Sequence, residues 1–155
     1  MNRALSVFAA ALILVASPAA AQDVSALSWL MGSWRGSGTM FGNPSEARLE
    51  IRPVLGGRFL ELSYRAGDFE GRAFYRPAGE GRWRATWFDN RGTSFDIEAH
   101  LEGRTLTANW GSAETEHGRT VYRLADDGRL HVTDDVAQPD GSPRPFAAHL
   151  FEKAD

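Results

Sequence analysis

The chain has 155 residues, 43% of them hydrophobic and 24% charged, with 17 basic against 20 acidic side chains. That length supports one domain, and a net charge of −3 excludes the dense basic field that phosphate-backbone binding needs. With no cysteine there is no disulfide framework, no thiolate metal site, no Cys nucleophile and no lipid anchored through a Cys.

The first segment reads as an address. Met1-Asn2-Arg3 is a short positive start, Ala4 to Ala16 is apolar apart from Ser6, and Ser17-Pro18-Ala19-Ala20-Ala21 supplies small residues at the cleavage positions. This pattern predicts a signal peptide over 1–21 and a mature domain over 22–155, in the periplasm or secreted. The apolar run is about 13 residues, too short to cross a bilayer, and Pro18 ends it. No later stretch is long and apolar enough to span, so no membrane span is expected after cleavage. A cysteine-free chain also suits an oxidising compartment.

Asp23 is placed to cap a short helical turn through Val24–Met31, ended by Gly32, with Leu27, Leu30 and Met31 on one side. Beyond it a period of two takes over. The alternation predicts ten strands: Ser33–Met40, Glu46–Val54, Arg58–Arg65, Glu70–Arg76, Arg82–Phe88, Ser94–Glu102, Thr105–Trp110, His117–Leu124, Leu130–Ala137 and Phe146–Lys153. In Ser94–Glu102, Phe95, Ile97, Ala99 and Leu101 face one way and Asp96, Glu98, His100 and Glu102 the other, as in an antiparallel sheet with one wet face. The breaks carry turn residues: Gly56-Gly57, Gly79-Glu80-Gly81, Asp89-Asn90-Arg91-Gly92, Glu102-Gly103-Arg104 and Asp126-Asp127-Gly128. Short links enforce neighbour-to-neighbour pairing, and a ten-stranded meander closes to remove its edges. The expected fold is all-β: a closed up-and-down antiparallel barrel of about ten strands with a short N-terminal helical turn.

Ten strands enclose more volume than one layer of side chains fills, so a lumen is expected. The inward row comprises Leu49, Ile51, Leu60, Leu62, Tyr64, Tyr75, Trp83, Ala85, Trp87, Phe95, Ile97, Leu101, Leu106, Ala108 and Trp110. Trp83 and Trp87 share a face with Ala85 between them, a spacing that outlines a flat apolar ligand or, if the rings meet, fills the space. Candidate cavity residues are Tyr64, Tyr75, Trp83, Trp87, Phe95, Trp110 and His149. Asp134 falls on the inward row, where it either bonds a buried Arg or contacts ligand; a structural salt bridge is the expectation.

Leu27-Ser28-Trp29-Leu30-Met31-Gly32-Ser33-Trp34-Arg35-Gly36-Ser37-Gly38 resembles the opening of the nitrobindin-type haem-binding barrels, a short helix followed by G-x-W-x-G-x-G. Gly32-Ser33-Trp34 also resembles the G-x-W signature of lipocalins and other calycins. That resemblance implies that Trp34 closes one barrel end beneath a basic residue of the last strand, here Lys153. Val54-Leu55-Gly56-Gly57-Arg58-Phe59-Leu60 and Thr86-Trp87-Phe88-Asp89 are similar to a bacterial family of exported barrels known only as a domain of unknown function. The nitrobindin resemblance implies haem iron on a last-strand His, which is His149 in Phe146-Ala147-Ala148-His149-Leu150-Phe151. If Phe146, Ala148 and Leu150 point inward, however, His149 faces solvent, and the longer Tyr-Pro-containing stretch of many nitrobindin-like chains is missing.

Other clusters carry less chemistry. His100 alternates with acids on the polar face, His117 follows Glu114 and Glu116 in a turn, and His131 shares a face with Thr133 and Asp135. Asp134 and Asp135 are adjacent and point apart. No G-x-S-x-G, H-E-x-x-H or P-loop occurs. The arginines interleave with acids as a solvated outer wall. Apart from the haem that the nitrobindin resemblance implies, no cofactor or metal is expected, and no catalytic residue can be named. Three readings follow: a non-enzymatic barrel holding a small hydrophobic or amphipathic ligand, a nitrobindin-like haem protein using His149, or an interaction or inhibitor barrel of the cell envelope. The ligand's identity, the oligomeric state and the open end are not encoded in any motif.

Overall fold

The computed structural model describes residues 23–154; the expected signal segment lies outside them. A 3₁₀ helix, Val24–Leu30, precedes ten strands: β1 (Gly32–Met40), β2 (Asn43–Val54), β3 (Phe59–Ala66), β4 (Phe69–Pro77), β5 (Arg82–Asp89), β6 (Ser94–Glu102), β7 (Thr105–Trp110), β8 (Gly118–Leu124), β9 (Leu130–Ala137) and β10 (Pro143–Lys153). Every strand pairs antiparallel with its sequence neighbour, and β1 also pairs with β10, which closes the barrel. Trp34 is opposite Leu49 on one side and Lys153 on the other.

Alternation sets the inside. Leu49, Ile51, Leu60, Leu62, Tyr75, Trp83, Ala85, Ile97, Leu106 and Ala108 are buried. The outer face carries ion pairs between neighbouring strands, such as Arg65–Glu70 at 2.9 Å and Arg119–Asp135 at 3.4 Å. One outward carboxylate is itself buried: Glu61 lies beneath Arg52 (2.9 Å) and Arg72 (3.3 Å), so its desolvation is answered by two cations.

The helix differs from the expected turn in its period. It is a 3₁₀ helix, so residues three apart share a face, and Val24, Leu27 and Leu30 are the buried set in place of Leu27, Leu30 and Met31. The Asp23 carboxylate caps it by accepting from the Ser25 amide at 2.9 Å. Val24 N–H donates to the Gly57 carbonyl in the β2–β3 turn, which holds the helix across that end of the barrel.

The second difference is in β10. It begins at Pro143, and its pairing with β9 shifts register between Pro145 and Ala147. The extra residue of this bulge reverses the parity that follows. Ala147, His149 and Phe151 are buried, and Ala148 is exposed. The expected alternative with Phe146, Ala148 and Leu150 inward and His149 in solvent is therefore corrected: His149 is 5% exposed.

Candidate functional site

The two ends of the barrel are built differently. At the helix end, the Trp34 indole N–H donates to the Leu30 carbonyl at 2.9 Å, and the Lys153 ammonium sits 4.3 Å from the Trp34 ring centroid while donating to the Met31 carbonyl. A cation over an aromatic face, with its remaining charge met by a carbonyl, seals this end. Trp83 belongs to the same buried core and does not line the cavity described next.

At the opposite end, among the hairpins that follow β1, β3, β5, β7 and β9, the lumen is open. A cavity of about 480 Å³ runs inward from there. Tyr64, Tyr75, Trp87, Phe95 and Trp110 line it, together with Phe146 from the alternative inward row and with Phe69 and Tyr122, which the sequence had not singled out. The aromatic rings pack in two files. Tyr64, Phe69 and Trp87 follow one another at 6.1 and 6.3 Å between centroids, and Phe95, Trp110 and Phe146 at 5.4 and 6.5 Å. These are favourable offset and edge geometries.

The space survives because two indoles lie back against the wall. A Cβ on Gly71 would collide with Cζ2 of Trp87, and one on Gly118 with Cζ2 of Trp110. Each strand glycine is thus a seat for a ring. The Trp87 N–H is held by Asp89 Oδ2 at 3.1 Å, and Asp89 also binds Arg91 at 2.8 Å. Burial pushes the Asp89 carboxyl up, but the hydrogen bonds from Arg91 and Trp87 outweigh it and leave the group below its ordinary value. Arg91 in turn lies over Phe69 at 5.4 Å. Arg91, Arg144 and Glu116 are the charged groups at the mouth.

Farther in, polar groups join the apolar lining. Asp134 is half-buried on the lumen wall, where it accepts a 2.6 Å hydrogen bond from Thr120 Oγ1. Burial pushes its carboxyl up to about 6, opposed by the Thr120 bond and reinforced by the negative Asp135. Tyr64, Tyr75 and Tyr122 share this region. Burial raises all three phenols and the Asp134 charge adds to it, so they stay neutral. The expected salt bridge is corrected here: among the described residues no Arg or Lys lies within 4 Å of Asp134. Val132, Asp134 and Val136 share the inward parity of β9, and the cation nearest in register, Arg144, pairs opposite Val136 and is exposed.

His149 is one ring back from the cavity. It pairs with Val132 and Gly38, stands edge-on to Tyr64 at 6.4 Å and tilts over Phe151 at 5.8 Å. Burial lowers its pKa, partly offset by Glu46, so the imidazole is neutral. Its Nε2 and the Trp29 Nε1 are the buried side-chain polar atoms without a hydrogen-bond partner among the described residues. His100 is on the outer face, 3.5 Å from Glu102. Among the described residues no group of three or more His, Asp or Glu is arranged to hold a metal ion, and no helix is long and apolar enough to cross a membrane.

Among the described residues large exposed apolar side chains occur at three separate places: Phe41 at the mouth, Leu55 in the β2–β3 turn at the other end, and Phe88 on the outer face of β5. They form no shared patch of the kind a protein partner covers.

No family model matches the chain, and no curated protein matches it. Among solved structures it is similar to the crystal structure of Rv2717c from M. tuberculosis, with a TM-score of 0.67, 16% identity, and coverage of 88% of this chain and 99% of that one. At that identity the likeness is one of fold: the two chains share a barrel architecture.

Proposed function

We propose that this protein is an exported barrel that holds a small, flat, hydrophobic or amphipathic molecule in its lumen and performs no reaction on it. The observation that carries this reading is the 480 Å³ cavity between indoles seated on strand glycines. Its volume lies within the range of small-molecule sites, roughly 300–1,000 Å³, and its make-up matches them: apolar walls with a few convergent polar groups. The leader-like pattern of residues 1–21 supports export. The test is to isolate the protein from the exporting cell, denature it and identify what is released by mass spectrometry. A single planar species near one per chain is expected. Release of nothing, with no saturable binding of a naphthalene-sized compound, contradicts the reading.

A second reading, haem binding as the nitrobindin resemblance implies, is favoured by one observation, the unengaged Nε2 of a buried neutral imidazole at His149. A neutral imidazole is a suitable iron ligand, and the aromatic lumen suits a porphyrin's flat apolar body. His149 would hold the iron, and Tyr64 would have to turn aside because it stands between that ring and the cavity. Bound haem would supply reaction with NO or peroxynitrite. Titration with haem should then give a Soret band that His149→Ala removes. Equal spectra for wild type and variant end this reading.

A further inference from the structure

We propose that the wall of the lumen selects for a positively charged nitrogen, with Asp134 as its counter-ion. The inference rests on the lumen being a binding site and adds the chemical class of the guest: a flat apolar body that leads with an ammonium or amidinium group.

A carboxylate inside a barrel is costly unless something answers its charge. Elsewhere in this protein the answer is built in. Glu61 has two arginines and Asp89 has Arg91 and an indole N–H. Asp134 has only the neutral Thr120 hydroxyl, at 2.6 Å. It lines the cavity on the same inward row as Val132 and Val136, so its free oxygen lone pairs are open to the lumen. Trp87 and Trp110 line the same cavity, and indoles also favour a cation brought near them. Among the described residues the lumen thus carries an aromatic sleeve with an acid on its wall that no cation answers, and the complement of that arrangement is a cation on an aromatic scaffold.

The charged and titratable groups around Asp134 do not supply that cation. On β8 it meets Thr120 and Tyr122, across the lumen Tyr64 and Tyr75, and beside it on the outer face Asp135, which is paired with Arg119. On β10 the inward His149 is neutral. At the mouth, Arg91 is engaged by Asp89, and Arg144 and Glu116 are exposed.

The test uses three probes of one shape: 2-naphthylmethylamine, 2-naphthylmethanol and 2-naphthoate, titrated into the purified protein and followed by tryptophan fluorescence or calorimetry. At pH 8 the amine is expected to bind about tenfold more tightly than the alcohol, and the carboxylate more weakly than both. Asp134→Asn should bring amine and alcohol together by weakening the amine about tenfold. A second arm needs no variant. With the Asp134 carboxyl titrating at about 6, amine affinity should fall about tenfold between pH 8 and pH 5, while that of the alcohol holds. An amine bound no better than the alcohol, or a preference that survives in Asp134→Asn, overturns the inference and leaves the lumenal reading standing. If none of the three probes binds, both fall together.

Discussion

The helix end and the mouth of this barrel use the same residue types to opposite effect. Trp34 and Trp83 are buried in continuous core, and Trp34 is locked by a carbonyl below and an ammonium above. Trp87 and Trp110 are only half-buried, lie back on glycines and line a cavity. An indole therefore stabilises or hollows a barrel according to what stands beside it. A small residue next to the ring leaves it flat on the wall, whereas a helix laid over the end presses it into the core.

This contrast can be broken from either side. Trp34→Ala should cost most, about 3–5 kcal/mol, since it removes a fully buried indole and leaves a cavity under the helix; urea unfolding measures it, and a loss under 1 kcal/mol would mean that end is not the anchor. At the mouth, Gly71→Val should cost less stability, about 1–3 kcal/mol, yet abolish naphthylmethanol binding, because the added carbons displace Trp87 toward the lumen. Unchanged binding in that variant would show that the ring does not depend on its seat.

Two smaller effects sharpen the same contrast. Asp134 has a folded pKa of about 6, above its ordinary value of 3.8, so between those values the folded state holds more protons than the unfolded one. Its contribution is therefore fully present below pH 3.8 and is lost as pH rises through about 6. Asp134→Asn should raise stability by about 1–2 kcal/mol at pH 8 and leave it unchanged at pH 4, after allowance for solvent reaching the half-buried group. Paired unfolding curves at the two pH values test this, and a larger gain at pH 4 would contradict it. Lys153→Met should have the smallest effect, about 1 kcal/mol, from loss of the contact over Trp34. Unfolding midpoints that coincide with wild type would show the ammonium to be a bystander.

Most of the barrel was legible because its strands alternate strictly and its turns are marked by Gly, Asn and Asp. Thr105–Trp110 and Leu130–Ala137 have the same bounds in sequence and structure. The direction of His149 was not legible. Both faces of Phe146–Phe151 are apolar, so periodicity cannot choose between them, and Pro145 marks an irregularity in the ladder without saying on which side of it the extra residue falls. The Trp34–Lys153 contact came from a family resemblance, since nothing in a period of two brings residues of the first and last strands together. The openness of the lumen was signalled weakly. Gly71 and Gly118 interrupt strands where a side chain would be expected, and a strand-interior glycine beside an aromatic row points to a ring laid against backbone. The missing partner of Asp134 was invisible, because sixteen arginines offered candidates and only the register shows that none reaches it.

The most direct measurement is an NMR titration of the five indole N–H resonances with 2-naphthylmethanol. The account predicts saturable shifts at Trp87 and Trp110, with Trp29, Trp34 and Trp83 unmoved. Shifts centred on Trp34, or no saturable shift at any indole, would contradict a guest-admitting lumen at the mouth.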